Sequence, residues 1–210
     1  MSRPVWLPAP APGPRLLVAA NNALYTVNKD GVATPVPVES GYERPVSAFA
    51  VSPDGRRIAL ISGAKVMVAP LTYTQESATV GRPYEIDAGG LQEPSALAWS
   101  RVHFLLVGGR LPGEDKYSLV EVSLDGAIAS TPVGFGSRIT QVASYPPIPR
   151  SGLQQPGPIM VQTLNSGSWQ VFRDNPLPLR YEPAKVTPSP SGGGAPPPSQ
   201  NVPSYPFYQD

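Results

Sequence analysis

The 210-residue chain contains no cysteine. That excludes disulfides, thiol catalysis and thiolate-held metal. It contains one histidine, so a site needing two imidazoles, as most zinc sites do, cannot be built from it. Charge is sparse and balanced: 16 Lys+Arg against 15 Asp+Glu leave a net charge of +1. The chain-wide excess of cations that grips a phosphate backbone is missing, so no nucleic-acid partner is expected. No run of about 18 apolar residues occurs, so no segment reads as a transmembrane helix. Met1-Ser2-Arg3-Pro4-Val5-Trp6 offers neither the apolar core of a signal peptide nor a lipid-acceptor Cys. The phosphate-binding Gly-x-x-x-x-Gly-Lys-Ser/Thr loop, the dinucleotide Gly-x-Gly-x-x-Gly turn, the Gly-x-Ser-x-Gly elbow and the His-Glu-x-x-His metal motif are all absent.

What the chain has in quantity is 29 Pro and 20 Gly. Pro removes a backbone donor and clashes inside a helix, and Gly raises the entropy cost of ordering, so long helices are not expected. Composition divides the chain at residue 182. Residues 183–210 read PAKVTPSPSGGGAPPPSQNVPSYPFYQD, too poor in apolar side chains to offset chain ordering, and are expected to be a disordered Pro/Gly-rich tail.

Residues 1–182 carry an internal repeat. Leu24-Tyr25-Thr26-Val27-Asn28-Lys29-Asp30-Gly31 is echoed about 95 residues later by Leu119-Val120-Glu121-Val122-Ser123-Leu124-Asp125-Gly126. Each copy is a strand-like run meeting Asp-Gly, whose positive φ angles suit a tight hairpin turn. The spacing implies two units of about 47 residues, the size of a propeller blade. Four first strands are expected at 3–6, 45–51, 94–99 and 138–143, the later three marked by small residues. More apolar second strands follow at 16–19, 58–61, 104–107 and 159–161, reading as strands buried on both faces. Third strands are expected at 23–27, 65–69, 117–122 and 168–172, and fourth strands at 33–38, 83–87, 128–133 and 177–181. Pro in the fourth strands suits an outer edge. The fold expected is all-β: about four β-propeller blades over 1–182, a partial propeller forming the C-terminal part of a larger one. Such a piece needs a tight four-blade ring, a partner or its missing blades to cover apolar surface.

No residue pattern marks a catalytic, cofactor-binding or metal site, and no binding residue is singled out. His103 opens a second strand where Arg15, Arg57 and Pro158 stand in the other units, a structural position. Asp30, Asp54 and Asp125 each precede Gly at a hairpin and read as turn residues. Glu114-Asp115-Lys116 reads as a solvated loop tip. Arg56, Arg57, Arg82, Arg101, Arg110 and Arg138 read as dispersed cations near strand ends. Trp6, Trp99 and Trp169 read as packing. An axial ligand site would require two or more of Glu43, Arg44, Glu93 and Arg138, all near the starts of first strands, to converge in one cavity.

Ser2-Arg3-Pro4-Val5-Trp6, Ser52-Pro53-Asp54-Gly55-Arg56-Arg57-Ile58-Ala59, Ala96-Leu97-Ala98-Trp99 and the late Pro203-Ser204-Tyr205-Pro206 resemble the propeller region of LpqB, a family of actinobacterial lipoproteins. The resemblance spans about residues 2–182. It implies a non-enzymatic interaction domain, without cofactor, that modulates MtrA–MtrB two-component signalling and cell-envelope homeostasis. The implied partner is the extracytoplasmic sensor domain of an MtrB-like histidine kinase. The resemblance further implies an extracytoplasmic location through an upstream lipid anchor, together with earlier blades and a GerMN-type domain. The alternative expectation is a small-ligand-binding or hydrolytic propeller with an axial site.

Overall fold

The structure, a computed structural model, describes residues 4–7, 16–20, 23–39, 45–73, 78–129, 132–144, 148–150, 153–155, 159–164, 167–173 and 181–186. Among them every regular element is a strand. Blade 1 comprises β1 (Val5–Trp6), β2 (Leu16–Ala20), β3 (Ala23–Val27) and β4 (Ala33–Pro35). Blade 2 comprises β5 (Val46–Val51), β6 (Arg57–Ser62), β7 (Lys65–Tyr73), β8 (Ala78–Val80) and β9 (Tyr84–Ile86). Blade 3 comprises β10 (Gln92–Arg101), β11 (Phe104–Arg110), β12 (Tyr117–Ser123) and β13 (Val133–Phe135). The fourth blade begins at β14 (Ile139–Ser144). A separate hairpin follows, β15 (Ile148–Arg150) and β16 (Leu153–Gln155), and the blade resumes with β17 (Ile159–Thr163), β18 (Gly167–Arg173) and β19 (Tyr181–Val186). Each blade is an antiparallel meander in which successive strands of the blade pair, except that β9 of blade 2 pairs with β7.

The second strands of blades 2 and 3 are apolar on both faces because two blades press on them. Alternate side chains of a strand point to opposite faces. Leu17 and Leu24 of blade 1 pack on Phe49, Ile58 and Leu60 of blade 2. Ala59, Ile61 and Val68, on the other face of blade 2, pack on Leu97, Leu105 and Val107 of blade 3. Leu106, Leu119 and Phe135 then pack on Ile139, Ile159 and Val161 of blade 4. No such cluster joins blade 4 back to blade 1 among the described residues. Among the described residues the four blades stack in series as a fan.

The sequence places the first, second and third strands within a few residues, and the fourth strands less well. β7 runs to Tyr73, beyond the expected end at 69, because Pro70 does not stop it: the Leu71 N–H bonds Arg56 O at 2.8 Å. Its length lets it pair with β8 at Leu71–Tyr73 and with β9 at Val66–Val68. β8 and the β15–β16 hairpin carry no repeat signal and were not expected. β13 is displaced toward Phe135 from the expected 128–133, and β19 toward Val186 from 177–181. β19 continues across position 182, while residues 187–210 lie outside the described ones.

The Asp-Gly turns are also built differently. Only the glycine takes a positive φ, 79° at Gly31, 69° at Gly55 and 90° at Gly126. The Gly N–H bonds a carbonyl three residues back, Asn28, Ser52 or Ser123. The Asp keeps negative φ, so these are turns with one left-handed residue rather than two; Asp54 and Asp125 accept from the Ser52 and Ser123 hydroxyls, whereas in the first turn the Asn28 side chain accepts from the Asp30 and Val32 N–H groups.

Candidate interaction site at the inner strands

Each first strand pairs on one side only, with the second strand of its blade. The inner edges of β5, β10 and β14 therefore line a groove of about 970 Å³, together with Pro4. Small side chains, Ser47, Ala48, Ala50, Ser95, Ala96 and Ala98, let these strands approach. Side chains tie the blades together there. Trp99 Nε1 donates to Ala50 O at 3.0 Å. Ser95 Oγ donates to Ile139 O at 2.7 Å. Arg57 Nη1 donates to Val102 O at 3.2 Å.

The described lining carries two charged residues, Arg101 and Arg138, and no carboxylate. Arg101 stacks its guanidinium over the Phe104 ring at 5.7 Å, a cation–π arrangement. Beside Arg138 lies a polar cluster that the sequence did not reveal. Arg110 Nη2 meets Glu93 Oε1 at 2.5 Å, and Tyr117 OH donates to Glu93 Oε2 at 2.7 Å. The Tyr117 hydrogen bond, then Arg110 and Arg138, hold the Glu93 carboxyl below its ordinary range, with desolvation opposing. The same hydrogen bond raises the Tyr117 phenol. Glu93 has φ of 50°, the one positive φ among described non-glycine residues. That left-handed backbone costs energy for a side chain with Cβ, and the ion pair and hydrogen bond hold it in place. Held this way, Glu93 is a fixed anion rather than a proton donor.

Of the four residues whose convergence would mark an axial site, Arg138 lines the groove and Glu93 stands within reach of its charge. Glu43 and Arg44 lie outside the described residues. Of the remaining cations, Arg56 and Arg82 are exposed as dispersed charges, whereas Arg57 is half-buried and bridges two blades. His103 sits exposed in the β10–β11 turn, its carbonyl accepting the Leu124 N–H at 3.2 Å. Asp30, Asp54 and Asp125 all lie in turns. Asp54 accepts from the Ser52 hydroxyl at 2.5 Å, and Asp125 accepts from Ser123. Trp99 is buried as packing, and the side chains of Trp6 and Trp169 lie outside the described residues. No group of three or more His, Asp or Glu able to hold a metal occurs among the described residues. The signal for the Glu93 cluster exists only in register, which sets Arg110 opposite both Gln92 and Tyr117.

A family model described as the lipoprotein LpqB beta-propeller domain matches residues 9–143. No curated protein matches the chain. A solved structure from Bacteroides uniformis, assigned as a 6-phosphogluconolactonase, is similar at 14% identity and a TM-score of 0.53, covering 86% of this chain and 52% of that one. Hydrazine synthase from Kuenenia stuttgartiensis is similar at 13% identity and a TM-score of 0.41, covering 76% and 50%. The WD40 domain of SCAP from fission yeast is similar at 11% identity and a TM-score of 0.42, covering 88% and 45%. The chain thus spans about half the length of the solved structures it matches.

Proposed function

The chain belongs to the family of the lipoprotein LpqB beta-propeller domain, and from that membership we propose that it is a non-enzymatic interaction platform outside the cytoplasmic membrane. The partner is the extracytoplasmic sensor domain of an MtrB-like histidine kinase. The chain acts by binding one state of that domain more tightly than the other, which shifts its population and so tunes MtrA–MtrB signalling and envelope homeostasis. Membrane attachment comes through a lipid anchor upstream. The family match carries this reading. The rigid blades and the open groove support it, since they hold the inner edges and connecting loops in one fixed arrangement.

The test is retention of the chain on an immobilised kinase sensor domain, with a full-length LpqB homologue as positive control. Retention is expected, and loss of it with the control intact removes the reading. A second reading, a small-ligand-binding or hydrolytic propeller, draws on Arg101 and Arg138 along the groove. The described lining offers these guanidiniums no histidine or carboxylate as a general base. Calorimetric titration with 6-phosphogluconate and a lactone-hydrolysis assay are both expected to be silent. Binding that is lost in Arg138→Gln would favour the second reading.

A further inference from the structure

Three turns carry Asp-Gly on a similar backbone: Asp30-Gly31 between β3 and β4, Asp54-Gly55 between β5 and β6, and Asp125-Gly126 after β12. In each, the glycine has a positive φ and its N–H bonds the carbonyl of the residue two before the Asp. What differs is the side chain of that residue. In two turns it is a serine whose hydroxyl donates to the carboxylate, Ser52 to Asp54 and Ser123 to Asp125. Asp54 also accepts the Arg56 N–H at 3.2 Å. These bonds, the serine's first, hold both carboxyls below their ordinary range.

In the first turn the residue is Asn28. Its Oδ1 accepts the Asp30 N–H at 3.0 Å and the Val32 N–H at 2.9 Å. No described residue donates to the Asp30 carboxylate. Residues 28–32 are exposed, and a Cβ on Gly31 would meet nothing within 4 Å. The counterpart turn of blade 3, a blade packed on both faces, also exposes its Asp. Exposure therefore belongs to the hairpin tip and not to the outer place of blade 1.

Asp-Gly is open to ring closure because glycine has no side chain to hinder attack by its nitrogen. The Gly nitrogen bonds to the Asp Cγ, the carboxyl C–O bond breaks, and one water leaves carrying the amide proton. Water then adds back to the succinimide. Addition at Cγ restores aspartate, and addition at the backbone carbonyl leaves isoaspartate, with the main chain running through Cβ and Cγ. The carboxyl must be neutral to lose water, and it must swing onto the Gly nitrogen. A hydroxyl that donates to the carboxylate opposes both.

We propose that Asp30 is a site of spontaneous isomerisation to isoaspartate, and that Ser52 and Ser123 protect Asp54 and Asp125 from the same reaction. Isoaspartate adds one atom to the main chain of the turn. It thereby breaks the Asn28 N–H bond to Val32 O, now 3.1 Å, and loosens the register of β4 on β3 at the hairpin tip.

The test incubates the intact chain at mildly acid pH and locates isoaspartate by peptide mapping, with fragmentation across the Cα–Cβ bond. Asp30 is expected to convert at least about tenfold faster than Asp54 or Asp125, the factor that a hydrogen bond to a carboxylate is worth. In urea, where the folded contacts are gone, the three sites are expected to converge. Ser123→Ala is expected to speed conversion at Asp125 by the same factor while Asp30 keeps its rate, which also serves as the control for folding. Equal rates in the folded chain, no conversion at Asp30, or an unmoved Asp125 in Ser123→Ala would overturn the proposal. So would a difference that survives in urea, which would assign the order to local sequence and not to the turns.

Discussion

Ser52 closes the turn between β5 and β6 with one hydroxyl: it accepts the Arg57 N–H at 2.9 Å and donates to Asp54 at 2.5 Å. The residue is 2% exposed, so its loss leaves a backbone donor short of a partner. Ser52→Ala is expected to cost about 1–2 kcal/mol, read as a melting temperature lower by about 2–8 °C. The same hydroxyl, ahead of the Arg56 N–H and the Arg57 charge, holds the Asp54 carboxyl below its usual 3.8. A depressed folded value means stability present above the unfolded pKa and lost as pH falls through the folded one. Asp54 is exposed and the effect is screened, yet Ser52→Ala should still shrink the difference in stability between neutral and acid pH. Tyr73 runs the opposite way. Its hydroxyl donates to Gly55 O at 2.6 Å, and burial, then the Asp54 charge, push the phenol from 10.0 up to about 12. A raised value contributes stability below the unfolded pKa that is lost as pH climbs from about 10 toward 12. Ultraviolet titration should show a tyrosine component ionising near 12 that is lost in Tyr73→Phe; an unchanged high-pH component in that variant would refute this.

At the scale of the element, β11 and β14 approach closely at one glycine. A Cβ on Gly108 would lie 3.0 Å from Ile139 Cβ and Cγ2. The glycine is there for close approach, since its φ is not in the left-handed region. Gly108→Ala is expected to overpack the blade 3–blade 4 seam at a cost of about 1–3 kcal/mol. Ile139→Ala, by contrast, opens a cavity worth about 2–5 kcal/mol. Because the added methyl fills the space that the isoleucine vacates, the double variant should lose less than the two singles combined. Urea denaturation of the four proteins measures this, and strict additivity would show that the seam relaxes without resistance.

Across the whole molecule, stability is expected to be graded along the fan. Blades stacked in series depend mainly on their neighbours. β6 and β11 are covered on both faces, whereas β2 and β17 are covered on one by the described clusters. Amide hydrogen exchange should therefore be slowest in β6 and β11 and faster in β2 and β17, with local opening at the fan's ends preceding global unfolding. Uniform protection across all four would mean that both ends are closed.

The blade count, three strands of each blade and the turn roles of Asp30, Asp54 and Asp125 were legible in the sequence. They rest on local chemistry: alternation of side chains, doubly apolar second strands, and glycine where φ turns positive. Outer strands were less legible because they are short, edge-paired and free of a repeated pattern; β8 and the shift of β19 to Tyr181–Val186 show this. The repeat could not say whether the blades meet in a ring, because Leu16-Leu17-Val18 reads as doubly buried whether or not a neighbour arrives. Only the tertiary structure decided that Leu17 is covered while Leu16 and Val18 are half-open. It alone decided that Glu93, Arg110 and Tyr117 meet, because cross-strand register and a left-handed backbone join residues that no motif links.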